Sequence, residues 1–166
     1  MDALQALLGR EMHWSVNKAL RQFELRDGDD LVATLRPSYW RFGSKPAVGM
    51  CRGEAWSLER HGLITPTFTY RCVVDGAAKQ IGYRHVRRRT YQDPMGRLYE
   101  LKPSSGDRVF TCAERGRPPL VRLHREGGWR PIWTMTISPA ARGIPYITGL
   151  AMLATLFHFW RLAARN

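Results

Sequence analysis

The 166-residue sequence predicts a mostly β protein, an antiparallel barrel of about ten to twelve strands that encloses a hydrophobic C-terminal α-helix. Three observations lead there. Many short stretches alternate apolar and polar side chains at period two, and turns rich in Gly, Asp and Pro separate them at near-regular spacing. After the last of them, Gly143 to Trp160 carries no Lys, Arg, Asp or Glu. The length fits one hydrophobic core better than two. Residues 1–166 are therefore expected as a single domain, with an N-terminal extension over 1–19, barrel strands over 20–138 and a central helix over 143–162.

The elements follow in order. From Asp2 to about Met12, Leu4, Leu7 and Leu8 stand at helical spacing, which predicts a short amphipathic helix interrupted by Gly9. From about Leu20 the period changes to two. Phe23 and Leu25 alternate with Glu24 and Arg26, an Asp-Gly-Asp-Asp run turns the chain, and Leu31, Ala33 and Leu35 alternate with Val32 and Thr34. The cluster Asp27, Asp29 and Asp30 lacks the twelve-residue loop of an EF-hand calcium site, so it reads as this turn and predicts no metal. Trp56, Leu58 and Arg60 share a face, His61-Gly62 turns, and Phe68, Tyr70, Cys72 and Val74 alternate with Thr67, Thr69, Arg71 and Val73 in the next strand. Asp75-Gly76 turns again. Gln80 to Val86, Arg97 to Leu101, Arg108 to Ala113, Leu120 to His124 and Trp129 to Ile137 are the remaining strands.

Pro145 suits the first turn of the terminal helix. A helix that is apolar on every side must be enclosed by protein or by lipid. Its uncharged run would be roughly 27 Å long, just short of a hydrocarbon core of roughly 30 Å. Arg142 before it and Arg161 and Arg165 after it leave no charge asymmetry to orient a span. A barrel of many strands needs its interior filled, which favours a plug over a tail anchor.

The stretches FELRDGDDLVATLRPS, WSLERHGLITPTFTYR and VRLHREGGWRPIWTMTISPA, followed by the terminal apolar helix, resemble the tubby-like superfamily, specifically bacterial relatives of the LURP-one-related proteins and phospholipid scramblases. The likeness runs from about Gln22 to Arg161. It implies a barrel wrapped around a central C-terminal helix. No stretch matches the superfamily's phosphoinositide- or calcium-binding motifs residue by residue, so none of those site residues is carried over.

Twenty-six Lys and Arg against fourteen Asp and Glu give a net charge of +12, which implies attraction to polyanions. The densest run is GYRHVRRRTY. There Arg84, Arg87, Arg88 and Arg89, with Tyr83, His85 and Tyr91, are a candidate polyanion-binding patch, because guanidinium binds phosphate bidentately and aromatic rings stack on bases. The plainer reading has those arginines solvated or paired with nearby acids. Arg115, Arg117, Arg122, Arg125 and Arg130 are candidates to extend the patch.

The YWRFGSK run mixes aromatic and basic residues as a membrane-interface loop does, making Trp40, Arg41 and Lys45 candidate contacts. Trp14, flanked by polar residues, is a further candidate for exposed contact, whereas Trp56, Trp129 and Trp133 suit the core. Of the five scattered histidines, His158 is expected as a hydrogen-bonded core residue or one near the barrel mouth. Cys51, Cys72 and Cys112 are odd in number and form no C-x-x-C pair, so neither a disulfide framework nor a zinc site is expected. With no secretory signal either, a cytoplasmic protein is expected.

No nucleophile elbow, phosphate loop or paired-carboxylate motif occurs. A binding or scaffold module without cofactor is therefore expected, not an enzyme. Its first expected partner is an anionic lipid surface, and the alternative is nucleic acid held by the same arginines. A tail-anchored protein and a protein-interaction barrel are the further alternatives.

Overall fold

Twelve antiparallel strands close into an up-and-down barrel, each paired to its neighbours in sequence, with the twelfth returning to the first. They are β1 (Glu11–Asn17), β2 (Gln22–Asp27), β3 (Asp30–Leu35), β4 (Ala47–Cys51), β5 (Glu54–His61), β6 (Thr67–Val74), β7 (Ala77–Arg87), β8 (Thr90–Gln92), β9 (Leu98–Pro103), β10 (Val109–Glu114), β11 (Pro119–Glu126) and β12 (Ile132–Ile137). The helix α1 spans Ile147–Ala163. The computed structural model describes residues 2–37, 45–104, 106, 108–127 and 132–163. Trp40, Arg41, Trp129, Arg130 and Arg165 lie outside the described residues.

Helix α1 fills the barrel. Every residue from Ile147 to Leu156 is buried, so the helix has no polar face along its first ten residues, and it packs against β5 and β6 as well as β10 and β11. Eight strands enclose a space that side chains alone fill; twelve leave room for a helix about 10–12 Å across. The residues that dilute its hydrophobicity each have a place. Gly149 lets the helix approach Tyr70, whose ring carbon would lie 2.7 Å from a Cβ added there. The Thr155 hydroxyl donates to the Ala151 carbonyl at 2.8 Å. Thr148 donates its backbone N–H to both Asp2 carboxylate oxygens, at 3.2 and 3.1 Å, which sets a negative charge at the positive end of the helix dipole.

That contact fixes the chain start as a cap over one barrel end. Leu4 and Leu7 are buried, and the Gln5 amide donates to the Ile144 carbonyl at 3.2 Å. The expected helix from Asp2 to about Met12 is instead a 3-10 turn over Gln5–Leu7 followed by β1. Gly9, at φ +80°, ends the turn, and Met12 and Trp14 then alternate inward and pair with Met135 and Trp133. Residues 11–17 are thus a barrel strand, where an extension over 1–19 was expected. Two-residue turns close two of the indicated hairpins, at Gly28-Asp29 and at Asp75-Gly76, and the φ angles of +52° and +74° at Asp75-Gly76 match the twist of the flanking strands.

Two further expectations need correction. Opposite Leu25 and Arg26 of β2, a bulge in β3 shifts the register, so Val32 is buried and Leu31 is 49% exposed. Pro145 lies in a turn just before α1, which begins at Ile147.

Candidate functional site

The barrel has two ends of different character. At the proximal end, where α1 begins, the turns mix signs: Asp29, Arg52, Asp75, Asp93 and Arg117 all lie there. At the distal end, where α1 finishes, the described turn residues include Lys18, Arg21, Arg88, Arg89 and Arg108 and no acidic one. Lys45 and Arg125 are exposed near the same end. The up-and-down topology produces this segregation, because alternate turns fall at the same end.

The distal end also exposes apolar side chains. Leu63 and Ile64, at the tip between β5 and β6, are 89% and 91% exposed. Trp160, in the last turns of α1, is 39% exposed, and Leu20 in the β1–β2 turn is 52% exposed. Large apolar groups at loop tips that share an end with a set of cations mark a candidate surface-docking end.

Of the four arginines the sequence singled out, Arg87, Arg88 and Arg89 line one depression with Lys102, while Arg84 stands apart beside Gln92 and Asp93. Arg84 donates to the Gln92 side-chain oxygen at 3.0 Å, and Arg87 lies 3.7 Å from Glu100. Glu100 is the hub of this wall, also contacting Lys102 at 2.5 Å and Arg115 at 3.8 Å. The Lys102 hydrogen bond, with the neighbouring positive charges, holds its carboxyl below the usual range. Arg115 and Arg117 share the proximal turn between β10 and β11, where Arg115 reaches Glu100 of this wall and Arg117 pairs with Glu114.

The two tyrosines of the expected patch are absent from the surface, whereas His85 is half-buried. Tyr83 and Tyr91 are 2% and 4% exposed, facing inward, because they hold the inward positions of their strands. Tyr91 packs against Phe157 of α1 at 5.3 Å between ring centroids. Trp14 is 1% exposed, a core residue and not the exposed contact expected; Trp56 and Trp133 are buried as expected. Leu63, Ile64 and Trp160 were not anticipated. The one available signal was an apolar pair in a turn bracketed by Gly62 and Pro66.

His158 is fully buried near the distal end, its ring 4.1 Å from Trp133 and 5.0 Å from Phe110. Its ring nitrogens have no hydrogen-bond partner among the described residues, which replaces the expected hydrogen-bonded role with an aromatic one. Burial, assisted by the charge of Arg161, lowers its pKa to about 4. A histidine depressed in the folded state stabilises fully above its ordinary pKa of about 6.5, and that contribution is lost as pH falls through 4. Thermal unfolding is expected to reveal roughly 3 kcal/mol of stability lost over that window. His158→Phe flattens that part of the profile.

The three cysteines are free and buried, and burial pushes the Cys51 thiol up to about 12. Asp27 pairs with Arg10 at 2.7 Å, in keeping with a turn. No described helix is long and apolar enough to cross a membrane. Comparison of the chain with protein-family models, with curated proteins and with solved structures finds no match.

Proposed function

We propose that this protein is a non-enzymatic module that docks its distal barrel end on an anionic phospholipid surface. The observation that carries the reading is the coincidence, at that one end, of exposed Leu63, Ile64 and Trp160 with Lys18, Arg21, Arg88, Arg89 and Arg108. Each basic side chain near a membrane contributes about 1 kcal/mol, and the apolar tips add the burial that electrostatics alone lacks. The proximal end, with its mixed charges, would face away.

Membership of the tubby-like superfamily remains part of this proposal. Its support is the agreement between the architecture that resemblance implies and a twelve-strand barrel around a C-terminal helix. The nucleic-acid reading has weaker support, because Tyr83 and Tyr91 offer no stacking face.

Co-sedimentation with vesicles tests the proposal. Binding is expected to vesicles containing phosphatidylserine, to weaken as salt rises from about 50 to about 500 mM, a range over which the Debye length falls through about 10 Å, and to be slight on phosphatidylcholine alone. Equal binding to both vesicle types refutes it, and binding to an oligonucleotide with no vesicle binding transfers the function to the alternative.

A further inference from the structure

A cleft of about 290 Å³ opens at the distal end between the last turns of α1 and strands β8, β9 and β10. Its walls are Tyr91, Leu101, Phe110 and Phe157, with Trp160 at the rim. The first three are at most 4% exposed to solvent, so the floor belongs to the barrel core. Two guanidinium groups, those of Arg89 and Arg161, complete the lining. Both residues are half-buried, placing charge beside an otherwise apolar hollow.

We infer that this cleft binds a single acyl chain carrying an anionic head group, with the chain against Phe110 and Phe157 and the head group between Arg89 and Arg161. The volume is about twice that of a cavity which takes up a benzene ring, enough for a stretch of hydrocarbon chain and too small for a folded polar ligand. The walls supply mainly apolar area, together with two cations. A carboxylate or phosphate answers the cations by bidentate pairing. Because the cleft opens at the end proposed to face the bilayer, the inference rests on that reading for the source of the chain, which is either a bilayer lipid or a free fatty acid.

Trp160 makes the site observable. The full chain is titrated below the micelle concentration with 2-bromododecanoate, whose bromine lies beside the head group and so beside Trp160, bromine being a contact quencher of indole emission. Saturable quenching at one-to-one stoichiometry is expected, absent in Trp160→Phe, with the alkylammonium of equal chain length binding at least about tenfold more weakly. Arg89→Glu with Arg161→Glu is expected to remove that preference for the anion. Non-saturable quenching, equal binding of anion and cation, or quenching that survives in Trp160→Phe overturns the inference.

Leu63→Asp with Ile64→Asp separates the two claims, since neither residue lines the cleft: this variant is expected to lose vesicles and keep bromododecanoate. Competition in the absence of vesicles identifies the source. Displacement of bromododecanoate by a short-chain phosphatidylserine below its micelle concentration assigns the chain to a bilayer lipid, and displacement by unbrominated dodecanoate alone assigns it to fatty acid.

Discussion

A chain ending before Gly143 is expected not to fold. The missing helix carries Ile147, Leu150, Met152, Leu153 and Leu156, each at most 3% exposed. At about 1.5–3 kcal/mol for each such side chain, their burial contributes roughly 8–15 kcal/mol, as much as the whole net stability of a typical domain. The loss is not confined to the helix. Tyr70, Phe68, Tyr91 and Trp133 face it from the strands and would line a water-filled lumen in its absence. Circular dichroism and gel filtration of the truncated chain should therefore report an unfolded or aggregated species.

Leu153→Asp makes the same point with one residue, because an isolated carboxylate at a fully buried position has no partner to offset its desolvation. A tail anchor would give the opposite pattern, a truncated chain that folds cleanly.

The second large effect is functional. Leu63→Asp with Ile64→Asp is expected to reduce binding to anionic vesicles by at least about a hundredfold, while the melting temperature stays within a degree or two. The fold is spared because both side chains are about nine-tenths exposed and surface changes of this kind cost little. Binding is not spared. Two apolar tips lose the chance to insert, worth about 3 kcal/mol or more together, and two carboxylates now oppose the anionic surface. Unchanged vesicle binding would mean that the tip between β5 and β6 takes no part in docking.

The fold was legible where local pattern and tertiary environment agree. Phe68, Tyr70, Cys72 and Val74 announce an inward face by simple alternation, and Gly143 to Trp160 announces an enclosed helix by its lack of charge. Three strands escaped. β1 hides behind leucines at helical spacing, and only its pairing with both β12 and β2 shows that Met12 and Trp14 face inward. β4 reads Ala-Val-Gly-Met-Cys, with a glycine where a Cβ would meet the Thr34 carbonyl oxygen at 1.9 Å, a close approach that no periodicity encodes. β8 has only three residues, too few for a period to be read.

The candidate site was legible in its charge and not in its shape. Arg87, Arg88 and Arg89 stand together in sequence and in space, but Trp160 and Leu63 are nearly a hundred residues apart and meet at one end only because alternate turns of a closed barrel do. Burial of Tyr83 and Tyr91 follows from strand parity, which the four arginines between them obscure.

The orientation of the barrel on the bilayer tests the central claim most directly. The native cysteines are buried, so a single added cysteine can carry an environment-sensitive fluorophore at Ile64 of the distal end or at Asp75 of the proximal end. With phosphatidylserine vesicles, emission from the Ile64 probe is predicted to shift to the blue and become quenchable by brominated lipid, while the Asp75 probe remains as in water. An Asp75 probe that shifts as much as the Ile64 probe, or an Ile64 probe that does not shift on bound protein, would contradict docking through the distal end.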